Sequence, residues 1–444
     1  MSTSYNRFYI IRIALVSALG GYLFGFDFAV ITGALPFLQE QFHLNAFKEG
    51  LVTGSLAVGA ILGCILAGNI SEKYGRRKGL LIAAIVFGVS SLTMAFAGNL
   101  DIFIAMRTIA GIGVGMASML SPMYIAEISP AHWRGRMVAI YQLALVIGIL
   151  ITNIVNFGLY NSGPDAWRWM FGLGAVPSLL FFLGALWLPE SPRWLLKAGF
   201  TQKAGTVLRR IGGSEFATQS QQSILDSLAA TNKQPGIKMV LSKTMLPAIL
   251  IGIGLAVFQQ LCGINVVFNY APRIFESIGV SKDGQLLQTV FIGGINLVFT
   301  IIAMLLVDRL GRKPLMLVGA GGLAVLYIIV ANMLAHGSPA VSWFLLSAIG
   351  MYAMTLAPVT WVLIAEIFPN AIRGIASSIA VVSLWIAYFI LVFTFPILFE
   401  RLQQTTFYVY SVICLLGLVL IFFKVKETRG KTLEEIEVVL GPPH

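Results

Sequence analysis

The sequence predicts an all-α membrane protein with twelve transmembrane helices in two six-helix bundles, joined by short cytoplasmic helices. Three observations carry that prediction. Hydrophobic residues make up 57% of the 444 and charged residues only 11%, under half the share of about 25% usual in globular chains. Apolar stretches long enough to cross a hydrocarbon core of ~30 Å recur along the chain. The charged motifs between these stretches return at a nearly constant offset. So little charge cannot cover a soluble protein of this length.

Taken in order, the apolar segments begin near Ile10, Gly50, Gly79, Ile102, Val138, Trp169, Thr244, Leu286, Pro314, Ser342, Ile375 and Thr406. The first follows Arg7 and Arg12 as a signal peptide would, but it runs to Leu35, carries Asp27 in its middle and offers no clear cleavage site. It is read as a retained first helix. The stretch from Gly199 to Lys243 is polar, with an amphipathic pattern at Phe216, Ile224, Leu225 and Leu228; this predicts helices lying against the inner face of the membrane.

Lysine and arginine orient the chain. With a cytoplasmic N-terminus, 24 of the 30 basic residues fall in cytoplasmic segments. Lys48, Arg168, Arg273, Lys282 and Arg401 fall outside, and Arg107 lies within a span. That bias places both termini in the cytoplasm of a multi-pass cell-membrane protein. The net charge of +11 therefore reflects topology rather than a nucleic-acid surface. Cys64, Cys262 and Cys414 each sit inside an apolar segment and form no metal or redox spacing.

The chain repeats itself. Glu72-Lys73-Tyr74-Gly75-Arg76-Arg77-Lys78 returns as Asp308-Arg309-Leu310-Gly311-Arg312-Lys313-Pro314. Ile125-Ala126-Glu127-Ile128-Ser129-Pro130 with Arg134-Gly135 returns as Ile364-Ala365-Glu366-Ile367-Phe368-Pro369 with Arg373-Gly374. Pro189-Glu190-Ser191-Pro192-Arg193 is echoed by Lys426-Glu427-Thr428-Arg429-Gly430. The offsets are 236, 239 and 237 residues, the mark of duplicated halves in parallel orientation. The expected division is a first bundle over 1–188, a cytoplasmic linker over 189–243, a second bundle over 244–425 and a tail over 426–444. Acids and cations at the inner ends of neighbouring helices can clasp the halves while the inner side is closed. The candidates are Glu72, Arg76, Arg77, Glu127, Arg134, Glu190 and Arg193, with Asp308, Arg312, Glu366, Arg373 and Glu427 in the second half. Each such bridge is worth only ~0–1 kcal/mol when partly exposed, which suits a gate that must open.

These motifs carry a resemblance. Gly75-Arg76-Arg77, Pro189-Glu190-Ser191-Pro192-Arg193-Trp194, Gln259-Gln260-Leu261-Cys262-Gly263-Ile264-Asn265 and Glu427-Thr428-Arg429-Gly430 together resemble the sugar porter family of the major facilitator superfamily, over nearly the whole chain. The resemblance implies a secondary transporter working by alternating access, with a monosaccharide and a proton as its partners and the bilayer as its solvent. It implies no cofactor, no metal, no nucleic acid and no enzymatic activity, and a carrier that functions as a monomer.

A sugar is a ring of hydroxyls with apolar C–H faces, so its site needs amides to hydrogen-bond and aromatic rings to stack. Gln259, Gln260 and Asn265 place three amides in the otherwise apolar seventh segment. On a continuous helix the step from Gln260 to Asn265 leaves them roughly 140° apart, near one face. Amides of this kind also serve as glue between membrane helices; the resemblance assigns all three to the sugar. It likewise implies sugar contacts at Gln142, Asn296 and Trp361, and cavity-wall aromatics at Phe24 and Trp385. Two positions depart from the xylose symporters: Asn269 stands where they have a tyrosine, and Leu384 where they have a glutamine. Glucose, another hexose or a polyol therefore stays open beside xylose.

Asp27 and Arg107 are charges deep inside spans, where each costs ~2.5–3.5 kcal/mol on insertion scales and marks function by default. The resemblance pairs them as the proton-coupling site, since facilitative glucose carriers have a neutral amide in place of Asp27. A static structural ion pair is the plainer alternative. The nearby Gly111, Gly113 and Gly115 are not a nucleotide loop, since small residues in mid-span allow helices to approach closely. Competing functions find little support. A receptor would need a signalling extension, and the four histidines are scattered with no His-Glu-x-x-His among them. An uncoupled sugar uniporter is the serious rival within transport, and drug efflux fits polar amides less well.

Overall fold

A computed structural model describes residues 5–231, 245–368 and 373–427, with a few side chains within them left aside. Among the described residues twelve helices are long and apolar enough to span a membrane, and each matches one expected segment. The first six are α1 (Arg7–Phe42), α2 (Ala46–Tyr74), α3 (Arg76–Ala95), α4 (Leu100–Ile128), α5 (Arg134–Leu159) and α6 (Ala166–Leu186). Two non-spanning helices follow, α7 (Pro192–Lys197) and α8 (Thr201–Thr231), the latter kinked at Gly212 and Gly213. The seventh span is two helices, α9 (Leu246–Leu261) and α10 (Ile264–Glu276). Next come α11 (Lys282–Leu310) and α12 (Arg312–Ala335). The tenth span is again broken, into α13 (Val341–Met354) and α14 (Leu356–Glu366), and α15 (Arg373–Leu402) and α16 (Thr405–Lys424) complete the chain.

Short polar side chains start several of these helices. Asn99 accepts from the Ile102 amide at 2.9 Å, and Ser281 and Ser191 cap α11 and α7 in the same way. Each satisfies a backbone donor that the first turn would otherwise leave unpaired. The linker confirms helices, with a shift of face. Ala204, Val207, Leu208, Ile211 and Ala217 are the buried hydrophobic residues of α8, whereas Leu225 is exposed. The Gly212–Gly213 kink turns the second part of the helix away from the first part's face, which a single amphipathic reading does not foresee.

The chain packs as two compact units. Unit 1 holds Met1–Phe28, Val58–Thr152 and Arg168–Gln234; unit 2 holds Ala29–Ala57, Asn153–Trp167 and Pro235–His444. The unit boundaries therefore cross α1, α2, α5 and α6. In unit 1, a Cβ on Gly113 or Gly115 would run into the Ala83 and Ala60 carbonyls, so the glycine run on α4 sets the close approach of α3 and α2. Its interior is filled by Phe87, Phe103, Phe171, Phe181 and Tyr124. In unit 2 the corresponding bulk comes from Tyr270, Phe275, Tyr327, Phe368 and Phe395. Exposed apolar side chains such as Leu179, Leu180, Val318, Val325 and Leu416 lie on the spanning helices, where a lipid-facing surface needs them.

Candidate functional site

In unit 2 the break in the seventh span builds the amide cluster. Gly263 takes the left-handed conformation (φ 89°) between α9 and α10, and a Cβ there would strike the Tyr410 ring. The continuous-helix spacing expected for Gln260 and Asn265 is thus corrected. Across the break, the Asn265 amide at the start of α10 donates directly to Gln260 Oε1 at the end of α9. Gln260 in turn donates to Gln259 Oε1 at 2.8 Å, and Gln259 donates to the Tyr352 hydroxyl of α13 at 2.5 Å. Further along α10, Asn269 donates to the Asn265 carbonyl at 2.7 Å and to the Tyr388 hydroxyl of α15 at 3.2 Å.

A row of polar groups thus runs from Tyr352 to Tyr388 through four amides. All six groups are buried: Gln260, Asn265 and Tyr352 each keep 7% exposure, and Gln259, Asn269 and Tyr388 keep less. Asn296 on α11 and Trp385 on α15 are also buried in unit 2, and Trp361 on α14 is 41% exposed. Gln142 on α5 and Phe24 on α1 belong to unit 1, both half-buried, with Phe24 edge-on to Phe28. Tyr352 and Tyr388 were not among the expected site residues. A tyrosine inside a span reads as bulk, and its hydroxyl becomes visible only when a partner is placed beside it.

In unit 1, Arg107 of α4 and Asp27 of α1 form an ion pair at 3.4 Å, each side chain 1% exposed. The guanidinium also lies 5.6 Å from the centre of the Phe171 ring, a favourable cation–π position. Asp27 Oδ2 has no hydrogen-bond partner among the described residues. The expected pairing of the two deep charges is present.

The repeated loop motifs resolve into one device used twice. Gly75 (φ 97°) leads into α3, and the Glu190 carboxylate accepts from the amides of Arg76 and Arg77 at the start of that helix. Gly311 (φ 92°) leads into α12, and Glu427 accepts from the amides of Arg312 and Lys313, each at 3.0 Å. A Cβ on either glycine would collide with that carboxylate. Each acid therefore sits on the positive end of a helix. Burial pushes the Glu190 carboxyl above the usual range, against the pull of the Ser191, Arg77 and Arg76 amides. Beside it, Arg76 pairs with Glu127 at 3.0 Å, and Ser191 donates to the same Glu127.

The remaining first-half charges bind locally. Arg77 reaches the Ala185 and Leu186 carbonyls, Lys197 meets Glu72 at 3.4 Å, Arg193 meets Ser227, and Arg134 donates to the Ala126 carbonyl. The side chains of Asp308, Glu366 and Arg373, and the tail beyond Glu427, lie outside the described residues. One further pair was absent from the expected set. Glu49 of α2 bonds Arg273 of α10 within unit 2; the sequence reading had treated Arg273 only as a topological charge.

Comparison with known proteins agrees with this arrangement. A family model described as sugar (and other) transporter matches residues 13–440. The D-xylose-proton symporter of Escherichia coli strain K12 is 39% identical over 100% of this chain and 98% of its own. A glucose transport protein of Synechocystis is 36% identical, covering 97% of each chain. Among solved structures, the inward-open form of the E. coli xylose transporter XylE superposes with a TM-score of 0.87 at 38% identity, over 97% of this chain and 100% of that one. XylE bound to 6-bromo-6-deoxy-D-glucose gives 0.83 at 39% identity, over 98% of this chain and 100% of that one. With twelve spans, paired half-chain motifs and matches along nearly its full length, the chain belongs to the sugar transporter family of the major facilitator superfamily.

Proposed function

We propose that the chain imports a monosaccharide together with a proton by alternating access across the cell membrane, with both termini in the cytoplasm. The observation that carries the sugar half of this reading is the amide row at the Gly263 break, Gln259–Gln260–Asn265–Asn269, bounded by two tyrosine hydroxyls. Every amide in it donates to a neighbour, and only Asn269 Oδ1 in the row lacks a partner among the described residues, so a sugar binds by exchanging those bonds for its own hydroxyls. That exchange loses no desolvated polar group, and it explains why a buried polar row is stable without substrate. Breaks in spanning helices beside substrate sites are a recurrent feature of repeat-built carriers. Trp361, Trp385 and Asn296, which belong to the same unit as the amide row, extend the site in this reading, the rings taking the C–H faces.

The proton half rests on Asp27 and Arg107. Two charges this deep are tolerated only as a pair. Protonating Asp27 dissolves the pair, so the carrier's conformational preference and its proton occupancy become linked. The two six-helix sets are then the moving parts. Uptake of a panel of radiolabelled monosaccharides into proteoliposomes, with and without an imposed pH gradient, tests both halves. Accumulation above the outside concentration with acid outside supports symport; uptake that only equilibrates, whatever the gradient, means a uniporter.

A further inference from the structure

We propose that Tyr388 is a sugar-selectivity residue, reading one sugar hydroxyl jointly with Asn269; this rests on the sugar reading above. In this family's xylose symporters a tyrosine stands at the position of Asn269. The structure shows that a tyrosine hydroxyl is nonetheless present at this point. It comes from α15 instead of α10, with Tyr388 Oη 3.2 Å from Asn269 Nδ2.

Three observations make this more than a packing exchange. Tyr388 lies one turn beyond Leu384 and Trp385, on the α15 face that carries the cavity-wall tryptophan. Its ring stands edge-on to Trp385 at 5.7 Å between centres. Asn269 is fully buried, and its carbonyl oxygen Oδ1 has no hydrogen-bond partner among the described residues. Burying an acceptor without a donor is unfavourable, and few such groups persist in folded proteins without a reason. A sugar hydroxyl supplies what is missing. It donates to Asn269 Oδ1, and its own oxygen can accept from Tyr388, whose phenol both donates and accepts. Leu384 beside the pair offers no competing polar group, so the neighbouring part of the sugar is read through this pair.

The test uses the full-length carrier in detergent, with quenching of tryptophan fluorescence as the readout. The probes are D-glucose, D-xylose and the singly deoxygenated glucoses. Tyr388→Phe keeps the ring and removes the hydroxyl. It is expected to weaken glucose by roughly 5- to 150-fold, while one deoxy analogue, lacking the hydroxyl that the pair reads, binds both proteins equally. Equal loss across all analogues, or no loss for any sugar, overturns the proposal. The swap Asn269→Tyr with Tyr388→Asn conserves volume and guards against misfolding; a glucose-to-xylose affinity ratio unchanged in this folded variant also overturns it. Wild-type protein that binds none of these sugars defeats the underlying sugar reading instead, a result distinct from a flat analogue profile.

Discussion

Glu49, one turn into α2, is ion-paired to Arg273 near the end of α10, although the two residues belong to different halves of the duplicated chain. The Glu49 side chain is 2% exposed and that of Arg273 22%. Around the pair, the Thr32 hydroxyl donates to the Phe268 carbonyl at 2.9 Å, and the Phe47 ring packs edge-on against Phe393 at 5.4 Å. Gly50 lies close against the Phe393 backbone. In the proposed orientation this cluster stands at the outer end of the spans, where a carrier must part to admit substrate.

Glu49→Gln should therefore favour the outward-open state. The amide keeps the shape but leaves Arg273 without its counter-charge. Breaking a buried pair costs ~3–5 kcal/mol when both partners are desolvated, and the partial exposure of Arg273 lowers this to about 1–3 kcal/mol. A cysteine introduced at Phe393 reports the change, because the native Cys64, Cys262 and Cys414 are all buried. Faster labelling from outside in the Glu49→Gln background is the expected outcome. An unchanged rate would make the pair a static strut.

How far this was legible in the sequence follows from what each signal depends on. The spans depend on length and apolarity alone, so all twelve could be placed. Asp27 and Arg107 stood out because charge inside a span has few tolerable explanations. The break between α9 and α10 did not, because a left-handed Gly263 depends on the Tyr410 ring packed against it. Glu49 lies near a helix end, where an acid reads as solvated, and its partner is 224 residues away. Glu190 likewise reads as a loop charge until the fold lays it on the first turn of α3, 114 residues earlier in the chain. Periodicity carries no information about such distant partners.

That carboxylate supplies the next prediction. Glu190→Gln retains an acceptor for the Arg76 amide but turns the second oxygen, which accepts from the Arg77 amide, into a donor, and should cost about 0.5–1.5 kcal/mol of stability. Gly75→Ala should cost more, since it forces a side chain into positive φ and into the carboxylate. The pH dependence has a definite sign. Burial raises the Glu190 pKa in the folded chain, so between the ordinary glutamate value and that raised value the folded state binds more protons than the unfolded one. This group's contribution is then fully present below the unfolded pKa and declines as the pH rises through the folded one. Melting temperatures in detergent across that window should show the dependence in wild type and not in Glu190→Gln.

Gln260 is the centre of the amide row, accepting from Asn265 while donating to Gln259. Gln260→Ala should weaken the best substrate by roughly 1–3 kcal/mol, or about 5- to 150-fold, because both a sugar partner and the bridge within the row are lost. Equilibrium binding to the purified variant checks this. Wild-type affinity in a folded carrier would remove Gln260 from the site.

Asp27→Asn separates coupled from uncoupled transport. The amide matches the carboxyl in shape and stands in for its permanently protonated form. Arg107 then keeps its place against Phe171, but the attraction that distinguishes the two protonation states is gone. A carrier couples two gradients only if its two orientations differ in proton affinity; a residue that cannot titrate makes that difference zero. An acidic exterior loads Asp27 from outside and a more alkaline cytoplasm unloads it, so wild type should concentrate sugar inside when the outside is acid. The variant should bind sugar and exchange it down a gradient, yet gain nothing from the pH difference. Proteoliposome counterflow measures the first property and gradient-driven uptake the second. Counterflow without uphill uptake assigns coupling to the Asp27–Arg107 pair, while uphill uptake by Asp27→Asn would show that the proton travels by another group.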